Sequence, residues 1–248
     1  MNWSKEQTEE HARSAEQFRE AYLQGRNKYA PVAAILGDRR RCVTLVELLG
    51  RHPPIVKRIA ELNGELGISS GLYFQEIPHF TVDCHRYLTA DKLPAEINEM
   101  VLVEQQRQVI PTEELSAYDK ILREEVRREK SFAFEVKGVA FGGDGLVAQV
   151  WYDNARMQAF NDRIGERVRR EVPTMNFQWG IVKNKVPVRV VNLARFTGLE
   201  DRKEVTAFVD ANKESLIGGN TILVANLLLS DHYIQERNTL NWSAYAFF

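Results

Sequence analysis

The chain has few cysteines, no long apolar run and almost no net charge, and each shortage removes a class of protein. Only Cys42 and Cys84 occur in 248 residues. Both fall in strand-like segments and read as two thiols within a fold, not as a disulfide framework. No stretch approaches the roughly 18–20 apolar residues that a membrane helix needs. The first residues, Met1-Asn2-Trp3-Ser4-Lys5-Glu6, lack the apolar centre of a secretory signal. The expectation is a soluble, cytoplasmic protein with no membrane partner. A formal net charge of −1 leaves no global basic field of the kind that marks a general nucleic-acid binder. Histidine is scarce as well, and neither His-x-x-x-His nor His-Glu-x-x-His spacing occurs. No metal and no cofactor is therefore expected.

What is present is an ordinary mixture of helix and strand signals. Residues 4–24 read as a helix with a thin apolar stripe that includes Phe18 and Tyr22, a helical extension over residues 1–40. Arg39-Arg40-Arg41 precedes a short apolar strand from Val43 to Leu49. Pro53-Pro54 opens a helix whose Ile55, Ile59, Leu62 and Leu66 share one face, and Gly67 ends it. Residues 94–128 look largely helical, broken at Ile110-Pro111, with Thr112 as a new cap. Leu115, Tyr118, Leu122 and Val126 form its buried face. Its remaining charges, Glu124 and Glu125 among them, read as a solvated face.

Two strands around Gly142-Gly143-Asp144-Gly145 read as a hairpin, since the turn matches no Walker or dinucleotide fingerprint. Asp153 or Asn154 caps a helix with Met157, Phe160, Ile164 and Val168 inward and Arg163, Arg167, Arg169 and Arg170 outward. A strand over Val186–Phe196, a helix over 200–215, an apolar strand from Thr221 to Leu229 and a last strand from Thr239 complete the chain. Leu240, Trp242, Ala244 and Ala246 share one face of that last strand.

One strand carries polar residues on alternate positions: Ile77-Pro78-His79-Phe80-Thr81-Val82-Asp83-Cys84-His85. Regular alternation puts His79, Thr81, Asp83 and His85 on one face and Phe80, Val82 and Cys84 on the other. An imidazole and a hydroxyl two residues apart suit phosphate or proton handling. A partly buried strand histidine and simple β-propensity are the plainer readings of His79 and Thr81. Each half of the chain has a helix leading into one marked strand, which suggests two related lobes.

That layout resembles the LigT-like two-histidine phosphoesterase superfamily, whose members carry a His-x-Thr/Ser-x motif on each of two strands. His79-Phe80-Thr81-Val82 matches the first motif, and Leu193-Ala194-Arg195-Phe196 is similar to the tail of the second. The resemblance covers residues 41–248. It implies an α+β, bilobal fold with two pseudo-symmetric antiparallel sheets facing a central cleft and helices outside. It also implies a metal-independent phosphoesterase acting on a cyclic phosphate or a 2′,5′-linked phosphodiester of RNA or a nucleotide. In that reading His79 is the general acid/base, with Thr81 beside it. Asn192 and Arg195 contact the substrate, and Tyr73 and Gln75 line the site.

The sequence departs from the motif at its second histidine. Counting back from the tail, that position is Val190 and the Thr/Ser position is Asn192. Valine carries no proton, whereas asparagine still donates a hydrogen bond. His85 lies about 20 Å along the strand from His79, too far to share a phosphate. His11 and His52 sit on elements with no evident site geometry, and His232 lies between two late strands, where the sequence does not place it. The alternative is a catalytically impaired relative that binds a nucleotide or RNA end, or a structural or interaction protein.

Overall fold

Nine strands form one antiparallel sheet, with helices packed on it. The computed structural model describes residues 5–37, 41–67, 71–88, 112–172, 189–231, 234–236 and 239–248. The elements are α1 (Lys5–Leu23), α2 (Val32–Leu36), β1 (Arg41–Leu48), α3 (Pro53–Leu66), β2 (Leu72–Phe74), β3 (His79–Leu88), α4 (Thr112–Val126), β4 (Phe132–Phe141) and β5 (Gly145–Tyr152). They continue with α5 (Asn154–Glu171), β6 (Arg189–Phe196), α6 (Arg202–Asn212), β7 (Leu216–Ile222), β8 (Val224–Asp231) and β9 (Leu240–Ala246). The helical reading of residues 94–111 and the strand start at residues 186–188 lie outside the described residues, as does His232.

Strand order is β7-β4-β5-β6-β3-β1-β8-β9, and β2 pairs with β6. The centre is the contact between β3 and β6, where Phe80 pairs with Val191. Outward from it run β3, β1, β8, β9 on one side and β6, β5, β4, β7 on the other. Each half holds a strand–helix–strand unit, β1–α3–β3 and β5–α5–β6, whose two strands are antiparallel neighbours. The two expected sheets are thus two halves of one. They curve together on the core side, where the rings of Phe80 and Phe134 are 5.1 Å apart. Among the described residues that side is filled by core side chains, and His79 alternates to the opposite face.

Local chemistry explains most elements. In α3, prolines occupy the first turn, where no N–H is needed, and Gly67 ends the helix at φ 69°. Its Ile55, Ile59, Leu62 and Leu66 are all buried. The Asp153 side chain accepts from the Arg156 N–H at 3.2 Å and caps α5. Asp201 caps α6 by accepting from Lys203 and Glu204 N–H groups at 2.9 and 3.1 Å.

Several sequence expectations are corrected. The apolar run from Thr221 to Leu229 is not one strand. Its start belongs to β7 and its remainder to β8, at opposite regions of the sheet, with only Leu223 between them. The curl of the sheet brings these regions together, and Phe247 N–H donates to Leu223 O at 2.9 Å. In β9 a bulge falls at Trp242, so Tyr245 and Phe247 turn inward while Ala244 and Ala246 are exposed. The charged face of α4, of the turn after it and of α5 is solvated at Arg123, Arg127, Arg128, Arg169 and Arg170, as expected, but not where the two helices meet. Glu125 is 1 % exposed and bonded by Arg163 at 3.2 Å and Arg167 at 3.0 Å, which ties the two helices together.

Candidate functional site

Phe80 and Val191 are both buried in the core. Their pairing turns the residues on either side of each toward the other face. In this antiparallel register His79 stands across from Asn192, and Thr81 stands across from Val190. A pseudo-twofold axis through the Phe80–Val191 pair relates His79 to Val190 and Thr81 to Asn192. This register places Val190 and Asn192 beside the His79–Thr81 pair.

The His79 imidazole is 3 % exposed. Its Nδ1 is 2.7 Å from Ile77 O. A carbonyl oxygen only accepts, so Nδ1 carries the proton and Nε2 presents its lone pair. Burial first, and the positive charge of Arg195 last, hold the imidazole down to about 4, although the Ile77 bond opposes this. His79 is therefore neutral at physiological pH, in the form of a base or hydrogen-bond acceptor. Thr81, Val190 and Asn192 beside it are half-buried. Among the described residues, His79 Nε2, the Thr81 hydroxyl and the Asn192 amide make no hydrogen bond.

The other expected site residues are held by protein partners. Tyr73 donates its hydroxyl to Glu76 Oε1 at 2.6 Å. The Gln75 amide donates to Ile234 O at 3.3 Å, fixing the 234–236 segment, whose Ile234 is buried with Val46 and Leu228. Arg195 donates Nη1–H to Asp144 Oδ1 at 2.6 Å. A regular strand would point Arg195 away from Asn192, but the register slips between Leu146 and Val147. Leu193 is the extra residue of this bulge. Asn192 therefore pairs with Val147 and Arg195 with Gly145, which puts both on one face. Tyr73, paired with Arg195, shares that face.

A second bulge corrects the reading of the His79 strand. Leu45 pairs with Asp83 and Val46 with Thr81, so Val82 is the extra residue. Alternation is broken there, and Asp83 and His85 do not follow His79 and Thr81 on regular spacing. Their side chains lie outside the described residues. The Val82 carbonyl accepts from Asn161 of α5 at 3.2 Å.

Read from the sequence, His11 has no evident site geometry, and the structure places it. It lies on α1, 1 % exposed, with its ring 4.6 Å from Trp151 and Nε2–H donating to Val150 O at 3.1 Å. Gln149, the neighbour of Val190 on β5, donates to His11 O at 3.4 Å. The helix thus flanks the Val190 side of the site face. The signal was the polar stripe of Gln7 and His11 in a helix otherwise short of apolar residues. His11 does not replace the absent second histidine: two strand spacings, about 10 Å, separate β5 from β3. His52 is buried on the core side, hydrogen-bonded to Glu47 at 2.7 Å.

Among the described residues, no group of three or more His, Cys, Asp or Glu is placed to hold a metal ion. No helix there is long and apolar enough to cross a membrane.

The chain shares its fold with the TT0787 protein of Thermus thermophilus. The TM-score is 0.53 at 13 % sequence identity, over 83 % of this chain and 97 % of that one. This likeness is one of fold alone. No protein-family model matches the sequence, and no curated protein does.

Proposed function

We propose that the His79 face binds a phosphate ester and that His79 is its proton-handling group. One observation carries the reading. His79 Nε2, the Thr81 hydroxyl and the Asn192 amide converge on neighbouring positions with no hydrogen bond among the described residues. Hydroxyl and amide donors suit phosphate oxygens, and a neutral imidazole beside them accepts a proton from a water or a ribose hydroxyl. Arg195, Tyr73 and Gln75 border this group. The LigT-like resemblance points the same way, to a cyclic phosphate or a 2′,5′-linked phosphodiester of RNA or a nucleotide, hydrolysed without a metal.

Val190 shapes the chemistry. With valine at the dyad position of His79, no acid protonates the leaving oxygen from that side. Loss of one such group costs about 10²–10⁴-fold in rate. A five-membered cyclic phosphate suffers least, because ring strain already favours departure of its alkoxide. The same residue favours the second reading, a protein that binds the nucleotide or RNA end without turning it over.

The test is direct. Wild-type protein is incubated with a nucleoside 2′,3′-cyclic phosphate in EDTA and followed by chromatography, alongside calorimetric titration of the same ligand. The reading expects slow hydrolysis that His79→Ala abolishes, and binding that Thr81→Ala and Asn192→Ala weaken. Binding without hydrolysis selects the second reading. Hydrolysis that survives His79→Ala, or no binding at all, overturns the assignment.

A further inference from the structure

The Gly142–Gly145 turn has no part in the site described so far, yet it is built with care from three sides. Gly142 N–H donates to Gly145 O at 2.7 Å and closes the turn. Phe196 N–H donates to the backbone oxygen of Asp144 at 3.0 Å, so β6 holds the tip. Lys28 N–H donates to Gly143 O at 3.1 Å, so the segment after α1 holds it too. Gly145 lies so close to β6 that a Cβ there would stand 2.0 Å from Ala194 O. A glycine is thus required for the tip to reach this position. What the tip presents is the Asp144 carboxylate, 2.6 Å from Arg195 Nη1. Arg195 is 9 % exposed, on the face of Asn192 by virtue of the Leu193 bulge.

We propose that Asp144 is a positioning residue that fixes the Arg195 guanidinium on the His79 face, where its charge acts on His79 and on an anionic ligand bound beside it. The inference rests on the phosphate-ester reading for its ligand, and on the sheet geometry alone for its effect on His79. Three things follow from the arrangement. The carboxylate restrains a long side chain that would otherwise lose rotamer entropy on meeting a ligand. It leaves the arginine positive, and so able to attract phosphate. Through that held charge it adds to the effect of burial on His79: burial is the main cause that lowers the imidazole, and the Arg195 charge lowers it further.

The experiment compares wild type, Arg195→Met, Asp144→Ala and Asp144→Asn in the full chain. It reads the His79 imidazole titration by NMR and the affinity for a nucleoside 2′,3′-cyclic phosphate by calorimetry. Arg195→Met should move the His79 titration upward, toward the ordinary imidazole value, and weaken the ligand about tenfold, the loss of one charge-assisted hydrogen bond. Asp144→Ala should move His79 in the same direction, because the guanidinium loses its Asp144 anchor. Asp144→Asn keeps an oxygen acceptor for Arg195, so ligand affinity should stay near wild type and His79 should move downward if at all, never upward. Simple removal of a negative charge would instead push His79 further down. A downward or absent shift in Asp144→Ala therefore overturns the proposal. If the ligand does not bind wild type, the phosphate-ester reading fails, and the His79 titration still decides the positioning role.

Discussion

Phe80 and Val191 face each other at the middle of the sheet, the register pair that joins its two halves. Everything about the candidate site follows from that pairing. It sets His79 against Asn192 and Thr81 against Val190, the arrangement on which the proposed reading rests.

Restoring a histidine at position 190 should therefore restore chemistry. Val190→His is expected to raise turnover of a nucleoside 2′,3′-cyclic phosphate by about 10²-fold or more, the contribution of a placed acid. The measurement is initial rate at fixed substrate, with Val190→Ala as control. Equal rates for the two variants would mean that position 190 does not face the reacting phosphate.

A lone neutral base gives a particular pH profile. As the proposed base, His79 would act unprotonated, and its imidazole is held down to about 4. In the wild type, kcat/KM should rise as pH climbs through about 4 and stay level through neutrality. A bell-shaped curve centred near neutral pH would reveal an acid partner that this site lacks.

Stability should fall on both sides of a neutral optimum. His11 and His79 are each lowered from 6.5 to about 4, chiefly by burial. The folded state binds fewer protons there, so each histidine destabilises as pH falls from 6.5 to 4. Glu47 is pushed up to about 8, again chiefly by burial. Its contribution is fully present below the ordinary carboxylate range and is lost as pH rises toward 8. Each such group changes stability by up to about 1.4 kcal/mol per pH unit within its window. Urea melts from pH 4 to 9 should show both limbs, and Glu47→Gln should flatten the alkaline one. An unaltered alkaline limb in Glu47→Gln would assign it to another group.

The α4–α5 ion network should carry real stability. Glu125 is 1 % exposed and receives Arg128, Arg163 and Arg167. Glu125→Ala removes the buried carboxylate shared by the three arginines, although Arg163 keeps Glu129 and Arg167 keeps Glu124 and Glu171, and should cost about 2 kcal/mol. Glu124→Ala, which removes a 38 % exposed carboxylate from Arg167, should cost less than about 1 kcal/mol. Urea midpoints of the two variants check the ranking, and equal losses would show that burial is not what matters.

The sequence by itself determined the local elements and the residue pattern of the two marked strands. Helical spacing placed Ile55, Ile59, Leu62 and Leu66 inward, and caps marked where helices start, because these depend on neighbours within a few residues. It also showed His79 and Thr81 two apart, and it put valine and asparagine where a second motif would have histidine and a hydroxyl. Only the tertiary structure decided which groups meet. The bulges at Leu193 and Val82 reset which face a residue shows, and a bulge depends on the partner strand, not on the bulged residue's own type. The split of one apolar run into β7 and β8 required the curl of the whole sheet. The burial of Glu125 and the placing of His11 beside Trp151 required contacts between elements far apart in the chain. Position along a strand follows from the residues themselves, whereas the face and the partner follow from how distant segments pair.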